Sequence, residues 1–91
     1  MPDQEQKTGR RLILMDGETI EDGSCGYSEG RLWCWLPGFT MQEAAETFFN
    51  PEKTGRITFE YGEMSDVYEG YTNCVNIFAD ADKINVCMIR G

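Results

Sequence analysis

The chain contains no histidine, and only eight of its 91 residues are Lys or Arg, against 16 Asp and Glu. The lack of histidine excludes the Ser-His and Cys-His nucleophile pairs and every mixed Cys/His zinc site. The shortage of basic residues leaves a net charge of -8, which repels phosphate backbones and disfavours direct binding to nucleic acid. Such a charge attracts proteins with basic surfaces instead.

Long apolar runs and nucleotide-binding motifs are also missing. No window approaches the roughly 18 apolar residues that cross a bilayer, and the N-terminal segment MPDQEQKTGRR lacks the apolar region of a secretory signal. We therefore expect a cytoplasmic protein with no contact with membranes. The glycine-containing segments carry neither the P-loop lysine nor the dinucleotide-binding fingerprint. With no histidine, nucleophile elbow or cofactor motif, the sequence predicts a protein that is not an enzyme.

Hydrophobic periodicity predicts a single α+β domain over residues 11–91, preceded by a flexible arm over residues 1–10. Alternating apolar residues and turn signals indicate about six strands. The segment TMQEAAETFF is the convincing helix, with Thr40 and Glu43 as a capping box. The predicted order is β-β-β-α-β-β-β, a mostly antiparallel sheet with one helix packed on it. The helix face expected to meet the sheet consists of Met41, Ala44, Ala45, Phe48 and Phe49.

Three two-residue turns set the predicted strand pairing: Asp16-Gly17, Glu29-Gly30 and Asp80-Ala81. The segment NPEKTG between the helix and the next strand is expected to be a loop. The segment VYEGYTNCVNIF is expected to be one long strand, bent at its central glycine. The cross-strand pairs that follow from these turns are Ile13–Ile20, Cys25–Cys34, Ile77–Ile84, Val75–Val86, Asn76–Asn85 and Cys74–Cys87.

The four cysteines leave three interpretations open. Two predicted hairpins each carry a cysteine pair, and the two pairs together would supply the four thiolates of a structural zinc site. Their spacings of nine and thirteen residues differ from the C-x2-C knuckle, so buried thiols without a ligand are favoured and no cofactor is expected. Disulfides are disfavoured in a reducing compartment. The residues concerned are Cys25, Cys34, Cys74 and Cys87.

The turn between two late strands is rich in carboxylates and aromatic rings. One face of a small sheet cannot bury all the aromatic residues, so some are expected to anchor a partner while the acids steer its basic surface. Acids at turns are commonplace on protein surfaces, and a catalytic role would need a pocket that raises a pKa. The predicted partner-binding residues are Glu60, Glu63, Asp66, Tyr68, Glu69 and Tyr71.

The run FFNPEKTGRITFEYGEMSDVYEGYTN, followed by a terminal hairpin that ends in MIRG, resembles small uncharacterised proteins encoded by bacteriophages and prophages. The resemblance covers most of residues 12–91. Small acidic phage proteins are similar in character to anti-CRISPR proteins, which inhibit RNA-guided nucleases by occupying basic nucleic-acid channels. The resemblance implies a non-enzymatic protein that binds a basic host protein, such as a CRISPR effector nuclease in a bacterial cytoplasm, and it supplies no catalytic residues.

Two alternatives come from other functional classes. In the first, the protein is a virion component of the tail or head-to-tail junction, and its edge strands pair between subunits into a ring. In the second, it is a small adaptor stabilised by the four-cysteine zinc site.

Overall fold

The computed structural model describes residues 9–91, which form eight strands and two short helices. The strands are β1 (Arg10–Ile13), β2 (Thr19–Glu21), β3 (Ser24–Ser28), β4 (Arg31–Pro37), β5 (Arg56–Tyr61), β6 (Met64–Glu69), β7 (Asn73–Asp80) and β8 (Lys83–Ile89), and the helices are α1 (Met41–Phe48) and α2 (Pro51–Thr54). Sheet A has the order β2-β1-β5-β6 and sheet B the order β3-β4-β8-β7, with antiparallel pairing throughout. The α+β class and the antiparallel pairing agree with prediction, whereas a single six-stranded sheet with one helix is wrong.

The additional strands arise because the chain turns from one sheet to the other at two points. Asp22, with a φ of 63°, separates β2 in sheet A from β3 in sheet B. Gly70, with a φ of 85°, separates β6 in sheet A from β7 in sheet B. A residue in the left-handed region turns the backbone out of the extended conformation, so the ladder ends there. The predicted bend at Gly70 is therefore a crossover between sheets.

The first hairpin differs from its predicted register by one residue. Leu12 lies opposite Ile20, so the predicted pair of Ile13 with Ile20 is wrong. The cause is the loop: the Leu14 N–H donates to the Glu18 carbonyl at 2.8 Å, which closes a loop of three residues instead of two. A one-residue slip transfers side chains to the other face of a strand, and here it places Leu12 in the core.

The β3–β4 hairpin has the predicted register. Cys25 lies opposite Cys34, and the two turn residues Glu29 and Gly30 take φ values of 54° and 81°. Positive φ at both turn positions is the geometry of the tight hairpin turn that matches strand twist. Side chains alternate along β4 as expected, and those that face the core are fully buried: Leu32, Cys34 and Leu36.

The β7–β8 hairpin turns one residue later than predicted. Ala81 takes a φ of 57° and Asp80 pairs with Lys83, so the turn residues are Ala81 and Asp82. Opposite charges face each other across the end of the ladder, which favours this register. The ladder is shifted by two residues, and a bulge at Val75 shifts it again. The observed pairs are Ile77–Val86, Ala79–Ile84, Phe78–Asn85, Asn76–Cys87 and Cys74–Met88, so the predicted pairs Ile77–Ile84, Val75–Val86, Asn76–Asn85 and Cys74–Cys87 are wrong.

Both helices begin at side chains that cap their N-termini. The Thr40 hydroxyl accepts from the Glu43 N–H at 3.0 Å and the Glu43 carboxylate accepts from the Thr40 N–H at 2.9 Å, which confirms the predicted capping box. The predicted NPEKTG loop instead contains α2. The Asn50 side chain accepts from the Glu52 N–H at 3.0 Å, and Pro51 occupies the first helical position, where its missing N–H has no cost.

The core lies between the two sheets and beneath α1, which packs against β7 and β8. Of the predicted helix face, Ala44 and Phe48 are fully buried, but Met41 and Phe49 are 46% and 62% exposed. The chain therefore covers only part of the apolar arc of α1. Neither helix in residues 9–91 is long and apolar enough to cross a membrane. The largest fully buried side chains from the strands are Leu12, Leu32, Leu36, Ile57, Val86 and Met88.

The outer face of sheet B carries both tryptophans, because side chains alternate between the two faces along β4. Trp33 lies opposite Cys87 and Trp35 opposite Asn85, and the two rings are half-buried. The Trp35 ring lies over Gly26, where an added Cβ would be 3.4 Å from the indole. The absence of a side chain at Gly26 therefore lets the indole lie along the sheet and cover it.

The predicted flexible arm, residues 1–10, lies outside the described residues except for its last two. Of these, Arg10 is already the first residue of β1. The ordered domain predicted to begin at residue 11 thus begins at least one residue earlier.

Candidate protein-binding site

The predicted partner-binding acids surround the β5–β6 hairpin but do not form one surface. Glu60 lies on the outer face of sheet A, and its carboxylate accepts from Arg11 Nε at 2.8 Å. Glu69 lies on the same face at the other end of the hairpin, opposite Arg56. Glu63 is exposed in the turn itself. Basic residues thus lie next to two of the four acids.

The remaining predicted acid faces the opposite side of sheet A. Asp66 pairs with the buried Phe59 in the ladder and is half-buried. Its carboxylate accepts a hydrogen bond from the Tyr61 hydroxyl at 3.0 Å, and this bond raises the pKa of the Tyr61 phenol because it favours the protonated form. The Asp66 carboxylate is therefore already hydrogen-bonded within the domain, and its contact with a partner stays a prediction.

The two predicted aromatic residues lie in contact with each other, but they are largely covered by the fold. Tyr68 and Tyr71 form an edge-to-face pair with ring centroids 6.3 Å apart, and Tyr27 contacts both rings at 6.4 Å and 5.9 Å. The Arg90 guanidinium lies 5.0 Å from the centre of the Tyr71 ring. Tyr71 is only 5% exposed, whereas Tyr27 is 52% exposed. The ring available to a partner is thus mainly Tyr27, which the sequence interpretation did not select.

The largest concentration of acids around one cavity lies elsewhere, between β2 and α1. A groove of about 460 Å³ is lined by four glutamates and, among residues 9–91, by no Lys or Arg. We call this surface the acidic groove. Its lining residues are Glu18, Thr19, Ile20, Glu21, Pro37, Gly38, Phe39, Glu43, Glu46 and Thr47.

Two local features place these glutamates beside each other. Gly38, with a φ of 77°, turns the chain after β4, and the capping box at Thr40 then starts α1. Glu43 and Glu46 are three residues apart on α1 and so lie on neighbouring positions of the helix surface. β2 forms the outer edge of sheet A and pairs only with β1 among residues 9–91, so its other backbone edge borders the groove.

Three of the four groove carboxylates have no salt bridge among residues 9–91, although one of them, Glu21, lies opposite Arg11 in the β1–β2 ladder. The Lys53 ammonium donates to Glu18 at 2.6 Å and to Asp16 at 2.8 Å, which partly neutralises that end of the groove. Glu43 accepts from a backbone N–H, and Glu46 accepts from the Gln42 side chain at 3.2 Å. Neutral donors orient a carboxylate but leave its charge uncompensated, so the groove carries a local excess of negative charge.

Sequence reasoning identified Glu43 only as a capping residue and did not select Glu18, Glu21 or Glu46. The helix spacing of Glu43 and Glu46 was a usable signal for one wall of the groove. The other wall depends on the position of β2 beside α1, which follows from the two-sheet arrangement and not from any local pattern.

The cysteines are free thiols in the structure, and their arrangement differs from the four-thiolate set of the alternative zinc interpretation. Cys25 and Cys34 face the core, while Cys87 pairs with Trp33 and so points to the other face of sheet B. Cys74 lies opposite Met88 and not opposite Cys87. Within residues 9–91 no three His, Cys, Asp or Glu residues are grouped so as to hold a metal ion. Burial raises the pKa of the Cys25 thiol to about 12, because the thiolate would lose its hydration.

No protein-family model matches this chain, and neither does any curated protein or solved structure.

Proposed function

We propose that the protein is a non-enzymatic interaction protein of a phage or mobile element, and that it binds a basic segment of a host protein in the acidic groove. The observation that carries the proposal is a groove that combines four glutamates with a strand edge left unpaired by residues 9–91, none of whose Lys or Arg residues lines it. The net charge of -8 adds attraction at longer range. Opposite charge on a partner both accelerates encounter and selects it over other proteins.

The open edge of β2 gives the groove a second means of recognition. An extended segment can hydrogen-bond to the free backbone edge of a strand and place its alternate side chains into neighbouring pockets. A segment with Arg or Lys at alternate positions would then direct those side chains towards Glu21 on β2 and Glu46 on α1. Backbone pairing contributes affinity, and the charged side chains contribute specificity.

The resemblance to small phage proteins supports an RNA-guided nuclease as the host protein. Such nucleases hold their nucleic acids in positively charged channels. A rigid acidic domain that occupies a channel of this kind competes with nucleic acid for the same cations. The protein would then act as an anti-CRISPR inhibitor.

The test compares two pairs of neutralising substitutions that change the net charge equally. Glu21→Gln with Glu46→Gln alters the acidic groove, and Glu29→Gln with Asp82→Asn alters exposed turns that do not line it. Affinity for purified guide-loaded nucleases and inhibition of DNA cleavage are measured at low and at physiological salt. We expect the groove pair to weaken binding by about 10-fold at low salt and the turn pair by less than about 2-fold.

A third variant tests the surface predicted from the sequence. It carries Glu60→Gln, Glu63→Gln, Asp66→Asn and Glu69→Gln. This variant removes two more negative charges than the turn pair, so we expect a slightly larger loss of affinity from weaker long-range attraction and no further loss. Equal binding by the wild-type protein and the groove pair, at both salt concentrations, would overturn the proposal. A loss confined to the third variant would assign the site to the β5–β6 hairpin.

A further inference from the structure

A second groove, between α1 and β7, has the opposite chemical character. It measures about 450 Å³, and within the described part of the chain no Asp, Glu, Lys or Arg lines it, although 26% of the sequence is charged. We call it the apolar groove. Its lining residues are Met41, Gln42, Ala45, Phe49, Cys74, Val75, Asn76 and Ile77.

One wall of the apolar groove is a stripe along α1. Met41, Ala45 and Phe49 recur every four residues, so they lie above one another on one side of the helix. This stripe is adjacent to the buried pair of Ala44 and Phe48 but is not covered by the rest of the described chain. Phe49 is 62% exposed, which leaves most of an aromatic side chain in water. Burial of such a ring is favourable, because apolar surface leaves water.

The other wall is β7, an edge strand that is neither short nor charged along most of its length. Edge strands of monomeric proteins are protected from pairing by shortness, by charged side chains or by bulges, and β7 has only the bulge at Val75. β2 has three residues and ends in Glu21, β3 has five residues, and β6 contains Asp66 and Glu69. β7 has eight residues, and the one charged residue among them, Asp80, is the last. Its outer backbone edge is therefore long, open and uncharged over most of its length.

We propose that the apolar groove and the β7 edge form a two-fold interface with a second copy of this chain. In this dimer, β7 of one copy pairs antiparallel with β7 of the other, and the two Met41–Ala45–Phe49 stripes pack across the axis. The joined sheet has the strand order β3-β4-β8-β7-β7-β8-β4-β3. A strand edge is complementary to itself under a two-fold rotation, which is why an antiparallel pair of identical edges satisfies the backbone groups of both.

Charge restricts the faces through which two copies of this chain can meet. Two chains of net charge -8 repel each other through any face that carries their carboxylates. The apolar groove contributes no carboxylate, so contact there buries apolar surface without bringing like charges together. A basic partner gains nothing from this groove and is instead attracted to the acidic groove. The dimer leaves the acidic groove between β2 and α1 separate from the apolar groove, since they share no lining residue.

The experiment measures association by sedimentation velocity and light scattering over a wide range of protein concentration. The wild-type chain is compared with Phe49→Glu, which places a charge in the apolar groove, and with Val75→Glu, which places one beside the β7 edge. The matched control is Met64→Glu, because Met64 is 60% exposed on β6 and lies outside the groove. Circular dichroism checks that all four proteins are folded.

We expect the wild-type chain to be a dimer with a measurable dissociation constant. Phe49→Glu and Val75→Glu should each weaken the dimer by about 100-fold or more, because both copies lose apolar burial and gain a charge that must be desolvated. Met64→Glu should change the dissociation constant by less than about 3-fold. A wild-type chain that stays monomeric at about millimolar concentration would overturn the proposal. So would a dimer that survives both groove substitutions, or a closed ring of more than two copies. Retention of partner binding by monomeric Phe49→Glu separates this inference from the proposed function.

Discussion

Phe48 and Phe49 are neighbours at the end of α1, yet Phe48 is fully buried and Phe49 is 62% exposed. The helix turns by about 100° per residue, so the two rings point in different directions, and here only the first points into the core. Phe48 joins the core with Ala44, and Phe49 joins the stripe that borders the apolar groove. The pair therefore offers a chemically matched comparison of a core ring and a surface ring.

Phe48→Ala is expected to destabilise the protein by about 3–5 kcal/mol, because it removes a fully buried ring and leaves a cavity. Phe49→Ala is expected to change stability of the isolated chain by less than about 0.5 kcal/mol, since its ring is mostly in water. Urea unfolding followed by circular dichroism measures both values, at a protein concentration at which the chain is monomeric. Equal losses from the two substitutions would show that the end of α1 is packed differently.

Thr40→Ala is expected to cost about 1 kcal/mol, because it removes the hydroxyl that accepts from the Glu43 N–H at the start of α1. Thr40→Ser keeps the hydroxyl and serves as the control, with a loss of less than about 0.5 kcal/mol. Chemical denaturation of the three proteins measures the difference. If Thr40→Ser loses as much stability as Thr40→Ala, the methyl group and not the cap is responsible.

Alkaline pH is expected to destabilise the fold through its core thiols. Burial raises the pKa of the Cys25 thiol to about 12 and also raises the pKa of Cys34. A thiol of the unfolded chain has a pKa of about 8.5. The unfolded chain therefore loses these protons first as the pH rises. The contribution of each thiol is complete below about pH 8.5 and declines above it by up to about 1.4 kcal/mol per pH unit.

Urea midpoints at pH 8 and pH 10.5, measured in the presence of a reductant, test this dependence. Cys25→Ala removes one of the two thiols, so its stability should fall less steeply between the two pH values than that of the wild-type protein. Parallel pH profiles for the two proteins would contradict a buried, protonated Cys25.

Chelators are expected to leave the melting temperature unchanged. A four-thiolate site needs four sulfurs around one ion, but Cys87 lies on the opposite face of sheet B from Cys34. Elemental analysis of protein purified without chelator, combined with melts in the presence and absence of EDTA, measures the effect. Stoichiometric zinc together with a drop in melting temperature on chelation would restore the zinc-stabilised adaptor as the interpretation.

Lys53→Gln is expected to strengthen binding of an arginine-rich peptide about 2- to 5-fold at low salt, because the substitution releases Glu18 and adds to the charge of the acidic groove. The loss of its two surface ion pairs should change stability little, because exposed ion pairs are screened by solvent. Arg56→Gln makes the same change in net charge on β5, outside the groove, and is the control. An equal gain in both variants would mean that net charge alone governs binding.

Local patterns in the sequence were sufficient where a single turn or cap determines the structure. Glu29-Gly30 set the register of β3 with β4 because the two residues form a tight turn in which both take positive φ, and Thr40 with Glu43 marked the start of α1. The predicted register of the last hairpin was wrong because a two-residue turn can form at Asp80-Ala81 or at Ala81-Asp82. The pairing of Asp80 with Lys83 selects the second turn.

The division into two sheets could not be predicted from local patterns. Gly70 was recognised as an irregularity, but a bend within one sheet and a crossover between two sheets have the same sequence signal. The choice depends on which distant strands each half meets: β6 meets β5, and β7 meets β8. The acidic groove depends on the same arrangement, which is why its glutamates were not recognised as one surface.

Trp33 and Trp35 both lie on β4, so tryptophan fluorescence monitors the unfolding of sheet B alone. Sheet A contains no tryptophan among its four strands, so its unfolding is silent in indole fluorescence and visible only in backbone signals. If the two sheets melt as one cooperative unit, fluorescence and far-ultraviolet dichroism will give superimposable curves. A fluorescence transition that lags behind the dichroism would reveal a partly folded species in which sheet B persists after sheet A is lost.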